Sequence, residues 1–203
     1  MENNVDHFAH KSKSWDMNSK RVQNAKGIAD LIVKNIDLND KMELMDFGAG
    51  TGLLGYCVAP HVAKIVAVDN SPSMLMEFKN KCDAFSCVTE VIEKDLSTET
   101  IDRKFDGIIS SMTIHHLEDL SALFAKFYNM LDDNGFIAIA DLDLEDGSFH
   151  SDNTGVFHHG FDRELLENIA LEAGFKDIKF DLASTINKPH REFTVFLMTG
   201  VKA

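Results

Sequence analysis

Positive charge is what this chain most lacks. Lys and Arg number 20 against 33 Asp and Glu, a formal net charge of −13. So acidic a body is repelled at long range by nucleic-acid phosphates and anionic lipid surfaces, and no basic patch offsets the average. Nucleic acid is therefore not an expected partner. Cysteines are few and odd in number, and Cys57, Cys82 and Cys87 make no CxxC pair. Neither a disulfide framework nor a structural zinc site is supported. No apolar run approaches the length of a bilayer span, and the polar opening MENNVDHFAHKSKSWD lacks the apolar centre of a signal peptide. The expectation is a cytoplasmic protein without stable membrane insertion. Prolines are three (Pro60, Pro72, Pro189), and no low-complexity linker divides the 203 residues. They read as one domain, with residues 1–40 a helical appendage or lid and 41–203 the core.

What is present is an alternation of short apolar strands with amphipathic helices. From Trp15 a helix carries Val22, Ala25, Ile28, Ala29, Ile32 and Val33 near helical spacing. Strands follow at residues 42–47, 64–69, 88–94, 105–111 and 136–141. Helices are expected at 51–59, from Ser71-Pro72 to Ala84, along Leu120, Phe124, Phe127 and Leu131, and from an Asp162 cap through Leu165, Leu166, Ile169 and Ala173 to Gly174. The run 132–135 (DDNG) reads as the turn into the fifth strand. Two last strands, 177–186 and 192–198, stand too close for a crossover and are expected to pair antiparallel around a turn at 187–189. The pattern predicts an α/β Rossmann-like three-layer sandwich on a seven-stranded, mostly parallel sheet with its last strands antiparallel.

The most informative stretch is ELMDFGAGTG (43–52), an apolar strand running into Gly48, Gly50 and Gly52 and then a helix. Glycine is needed where a backbone turns sharply against a ligand, although such a turn also serves plain tight packing. Asp69 ends the next strand, 21 residues after Gly48 (69 − 48 = 21). A carboxylate there can accept both hydroxyls of a ribose. NAD and S-adenosylmethionine compete for such a unit. The GxGxG spacing, with Leu53 where GxGxxG would put its third glycine, departs from the dinucleotide pattern. Asp46, two residues before the first glycine, disfavours a pyrophosphate and suits a cation. Both features favour S-adenosylmethionine.

DFGAGTG (46–52), VAVDNSPSML (66–75) and FDGIISSMTIHHL (105–117) resemble, in order and spacing, the motifs of class I Rossmann-like S-adenosylmethionine-dependent methyltransferases. The small-molecule enzymes of the ubiquinone- and menaquinone-biosynthesis type are the nearest likeness. The resemblance spans nearly the whole chain. It implies methyl transfer to a small acceptor, with S-adenosylhomocysteine as product, by a monomer or homodimer. It implies further that Gly48, Gly50 and Gly52 line the methionine and ribose portion and Asp46 lies near its amino end. Asp69 would bind the ribose, Asn70 and Met74 flank the adenine, and Asp95 with the backbone at Leu96 meet its amino group. Ser111 and Met112 would sit between cofactor and acceptor. Plainer readings stand beside these: Met74 as a core gap-filler and Asp95 as a solvated member of an acidic run.

Nine histidines supply candidate bases. His115 follows the fourth strand, and His158 and His159 lie in the long connection after the fifth, so these three are the catalytic candidates. Aligning nucleophile and methyl can suffice without any base. Asp141, Asp143, Glu145 and Asp146 with His150 look briefly like a calcium loop, but Gly147 falls at the seventh position and no glutamate at the twelfth. A solvated acidic loop is the better account, and no metal is expected. The stretch 110–113 (SSMT) is not the Pro-Pro-aromatic tetrad of DNA amino-methyltransferases. The aromatics Phe8, Trp15, Phe149, Phe157 and Phe161 suggest a lid over a partly apolar small molecule, with Trp15 foremost. The competing functions are a module that binds the cofactor or its product without transfer, and an NAD-dependent oxidoreductase.

Overall fold

The computed structural model describes residues 6, 8–189 and 191–202. Short runs of Val, Ile, Leu and Met bounded by glycine and acid turns become strands; the central ones, roofed by helices, are buried on both faces, while the two edge strands are only partly buried. They are β1 (Glu43–Phe47), β2 (Lys64–Asp69), β3 (Val88–Glu93), β4 (Phe105–Ser111), β5 (Leu131–Leu142), β6 (Phe175–Lys188) and β7 (Arg191–Lys202). Their order in the sheet is β3-β2-β1-β4-β5-β7-β6. The pairs from β3 to β5 are parallel, and β7 runs antiparallel to both β5 and β6.

Side-chain alternation divides the core between the two faces. Met45, Phe47, Val66, Val68, Ile108, Ile137 and Ile139 pack with α4 (Leu120–Met130) and α5 (Arg163–Glu172). Their neighbours Leu44, Ile65, Ile109, Ala138 and Ala140 pack on the other side with α1 (Ser19–Asn35) and α2 (Leu53–Val58). Full burial of Phe124 and Phe127 on α4 contributes about 2–3 kcal/mol each. A fifth helix, α3 (Pro72–Lys79), starts at the cap Ser71, whose hydroxyl accepts from Met74 N at 3.3 Å. No helix among the described residues is long and apolar enough to cross a membrane.

Several local expectations are corrected. Trp15 lies in a separate 3-10 turn, Ser12–Met17, because Asn18 caps α1 by accepting from Lys20 N and Arg21 N. The second and third helices end early, at Val58 and Lys79, each passing into a 3-10 turn. β5 begins at Leu131 and absorbs the 132–135 turn as an irregularity between the pairs Phe105↔Leu131 and Gly107↔Phe136, with Asn134 left-handed at φ 63°. Leu165 is 62% exposed, since the Asp162 cap sets a phase in which Leu166 and Ala170 face inward. The last two strands are longer than expected, reaching Lys188 and starting again at Arg191. Gly174 ends α5 in the left-handed region, as the sequence led one to expect.

Candidate active site

The strand order turns back on itself between β1 and β4, and the glycine loop leaves β1 at that point. In open α/β sheets the crevice at the carboxyl ends of strands flanking such a reversal is where ligands bind. Gly48, Gly50 and Gly52 all have positive φ, at 65°, 54° and 86°. Two are dictated by packing: a Cβ on Gly48 would lie 2.1 Å from the Thr113 side chain, and one on Gly52 2.5 Å from Phe78. Gly50 differs, for a Cβ there would meet nothing within 4 Å. Its absent side chain keeps open space against the loop.

A substitution pair separates these roles. Gly50→Ala is expected to cost about 1–2 kcal/mol of stability from left-handed strain alone, while lowering S-adenosylmethionine affinity at least about tenfold. Gly52→Ala adds overpacking against Phe78 to the same strain and should cost about 2–5 kcal/mol. Urea denaturation beside calorimetric titration reads both.

The acids around the loop are held by backbone donors. Asp69 accepts from Gly50 N and from Ser71 N, both at 2.8 Å. Burial raises its pKa against the pull of those hydrogen bonds. Asp46 lies beneath, 1% exposed, accepting from Gly55 N at 3.1 Å. Burial pushes it up to about 7, the Gly55 bond opposing and the charge of Asp69 adding to the rise. Gly55 escaped the sequence reading, yet a Cβ there would stand 2.8 Å from the Asp46 carboxylate. Its signal was a fourth glycine three residues past Gly52.

The N-terminal segment covers this region. Asp16 accepts from Thr51 Oγ1 in the glycine loop at 2.5 Å and pairs with Lys81. Asp6 accepts from Ser71 Oγ at 2.8 Å and Ser73 N at 3.1 Å. Trp15 packs edge-on against Phe8, with the Arg21 guanidinium 3.8 Å over its ring. Phe8 in turn touches His116. The lid aromatics divide: Phe157 is largely exposed, whereas Phe161 is a core residue against Phe196, because its backbone bridges Leu142 and Leu144.

Other expected cofactor contacts are scattered in character. Asn70 is exposed just past β2, and Met74 is a buried residue of α3. Asp95 commits Oδ1 to Ser97 N and Oγ, closing a turn, and Leu96 sits in the core with its carbonyl accepting from Lys126 Nζ. Ser111 ends β4, and Met112 beyond it holds φ 56°. Such a conformation costs a non-glycine residue about 1–3 kcal/mol and clusters at functional sites.

Three residues past Met112 stands His115, 1% exposed. Its Nδ1 donates to Asp141 at 2.8 and 3.0 Å, and its Nε2 is buried with no protein partner. Burial alone would push His115 down, but the charge and hydrogen bond of Asp141, with Glu145 further off, carry its pKa above the ordinary value. Around it lie His116, with ring centroids 4.2 Å away, and His150, at 5.0 Å. His150 Nε2 is likewise buried without a partner. A buried unsatisfied nitrogen costs about 1–3 kcal/mol, so each is a place for a polar atom of a ligand or a water.

The remaining histidine candidates have other neighbours. His158 has Nε2 against the Leu117 carbonyl at 2.8 Å and its ring against Phe161. His159 is exposed, its Nδ1 3.7 Å from Glu145. Asp143 takes a bidentate pair from Arg163 plus the Thr194 hydroxyl, and Asp146 pairs with Arg191. With its acids so engaged, the loop brings together no group of three metal-ligating side chains among the described residues.

A glycine loop at the switch point of this sheet, with an acid closing β2, is the architecture of the class I Rossmann-like methyltransferases. The chain belongs to the methyltransferase-domain family, whose match covers residues 19–179. An uncharacterized methyltransferase of Schizosaccharomyces pombe is 30% identical over 77% of this chain and 59% of its own length. The malonyl-[acyl-carrier protein] O-methyltransferase of Acetivibrio thermocellus is 27% identical over 66% of this chain and 47% of its own. The chain thus spans about half the length of these curated relatives. The magnesium protoporphyrin IX methyltransferase of Synechocystis PCC 6803, solved with bound S-adenosylmethionine, superposes with a TM-score of 0.68 at 17% identity, covering 100% of this chain and 87% of that one. The likeness to the ubiquinone- and menaquinone-type enzymes is supported only at this broader level.

Proposed function

We propose that this protein transfers a methyl group from S-adenosylmethionine to a small, partly apolar acceptor, with His115 as the base. The observation that carries the reading is the buried His115–Asp141 pair beside a glycine loop whose central residue, Gly50, borders open space. The residues fit the cofactor. Gly50 leaves room for it, Asp69 offers a carboxylate to its ribose, and Asp46 offers a buried one to its ammonium. When bound, it supplies an electrophilic methyl on a sulfonium.

The protein's own work is proton control and exclusion of water. Asp141 accepts from Nδ1–H, which fixes the His115 tautomer and leaves the Nε2 lone pair as the proton acceptor. The segment carrying Asp6, Phe8 and Trp15 closes over the loop and lowers the water content around the reacting atoms. The two of these proteins whose names give an acceptor differ in what they methylate, so likeness alone does not choose the acceptor.

The test is calorimetric titration of S-adenosylmethionine, S-adenosylhomocysteine and NAD. Micromolar binding of the first two and none of NAD is expected. Asp69→Ala should weaken both about 100-fold, since a buried charged hydrogen-bonding partner is lost. NAD binding, or Asp69→Ala binding as wild type, would sink the proposal. Tight cofactor binding with no transfer to any acceptor would favour a binding module.

A further inference from the structure

His150 takes no part in the mechanism so far, yet it occupies the most telling position around the base. Its ring centroid lies 5.0 Å from that of His115 and 6.0 Å from that of His116. Phe149 meets it edge-on at 4.8 Å and Phe193 meets Phe149 at 5.2 Å, while Met112 packs into the same cluster. The face of Phe149 is occupied by the Lys188 ammonium at 4.0 Å. Two adjacent imidazoles therefore each hold a buried, unpartnered Nε2, next to a cluster of Phe149, Phe193 and Met112.

We infer that His115 and His150 together seat the acceptor's hydroxyl oxygen, which makes the acceptor a small molecule bearing an aromatic or enolic hydroxyl. This rests on the methyltransferase reading above and narrows it. In the deprotonated, base form of His115, Asp141 holds the remaining proton on Nδ1 and leaves Nε2 as a lone pair. A second lone pair on His150 beside it would be repelled, so His150 is the tautomer that carries Nε2–H. Burial, the largest cause, pushes His150 down to about 4, so at neutral pH it is an uncharged imidazole. One acceptor and one donor fit a hydroxyl: the first takes its proton, the second donates to the oxygen.

Other acceptor classes fit less well. A carboxylate has no proton for His115 to remove. A neutral amine has one lone pair, which must attack the methyl and leaves His150 nothing to donate to. Oxygen keeps lone pairs for both. The step balances: the O–H proton passes to His115 Nε2, oxygen bonds to the methyl carbon, and the carbon–sulfur bond breaks with its electron pair staying on sulfur. A conjugated hydroxyl loses its proton to an imidazole most readily.

The test uses 4-nitrophenol, whose phenolate absorbs in the visible, titrated into the protein saturated with S-adenosylhomocysteine. Wild type should bind the probe and show the phenolate band at a pH where the free probe is still protonated. His150→Phe keeps the ring packing without the donor. It should weaken probe binding about tenfold and reduce the band, with S-adenosylhomocysteine affinity within about twofold of wild type, which also proves its fold. His150→Gln retains a donor and should recover most of the loss. The inference is overturned if S-adenosylhomocysteine binds but 4-nitrophenol does not, if His150→Phe binds the probe as wild type does, or if 4-nitroaniline binds equally well and loses equally in His150→Phe. Failure of S-adenosylhomocysteine itself to bind would overturn the underlying reading and this one with it.

Discussion

His115→Gln is expected to slow methyl transfer about 10²–10⁴-fold, the range removed with a positioned general base, while S-adenosylhomocysteine binds as before. Gln fills similar volume but has no basic nitrogen at the Nε2 position. Wild-type turnover should rise with pH as His115 loses its proton, with a midpoint above the usual histidine value because Asp141 stabilises the imidazolium. Asp141→Asn should move that limb to lower pH and slow the plateau, since the amide neither holds the proton nor selects the tautomer. Combining the two substitutions should cost little beyond the larger single effect, because they disable one unit. The same charge pair has a stability signature. His115 is raised in the folded state, so its contribution is present below the unfolded histidine pKa and is lost as pH rises through the folded one. Unchanged turnover in His115→Gln would show that alignment alone drives transfer and that the imidazole is structural.

How far the sequence reaches depends on how far apart the partners lie. The glycine loop, the acid after it and the Ser71 cap are local: each is written in residues adjacent along one strand–turn–helix unit. The His115–Asp141 pair is not. These residues are 26 apart in sequence (141 − 115 = 26) and meet because β4 lies beside β5, with Ser111 paired to Ala140. Nothing in the spacing gives that register, so Asp141 read as one more acid in an acidic loop. His150 was hidden in the same way, by a connection whose path is set by Phe149 packing on Phe193. The exposed Leu165 shows another limit: an apolar residue at a helix start fits either phase until the Asp162 cap settles where the first turn begins. Conversely, the bond from His158 to the Leu117 carbonyl, 41 residues away, has no trace in the sequence.

Asp46→Asn is expected to weaken S-adenosylmethionine binding about 100-fold or more at neutral to alkaline pH and, in the same protein, to stabilise the cofactor-free state there. Both effects follow from one buried carboxylate. In the cofactor-free fold its pKa stands at about 7 against an ordinary value of 3.8. Between those values the folded chain holds a proton that the unfolded chain has released. Stability therefore falls as pH rises through that window, by about 4 kcal/mol across the whole of it. Asn removes the dependence, so its advantage over wild type should grow up to about pH 7 and then level off. Cofactor binding runs the other way. An ammonium brought against Asp46 favours the charged carboxylate, so binding below about pH 7 must expel the proton and weakens about tenfold per unit of falling pH. Calorimetry in buffers of different ionisation enthalpy should detect that proton released by wild type and none released by Asp46→Asn. Affinity independent of pH in wild type, with Asn binding equally well, would mean that the ammonium lies elsewhere. The carboxylate would then serve only to pin the turn at Gly55.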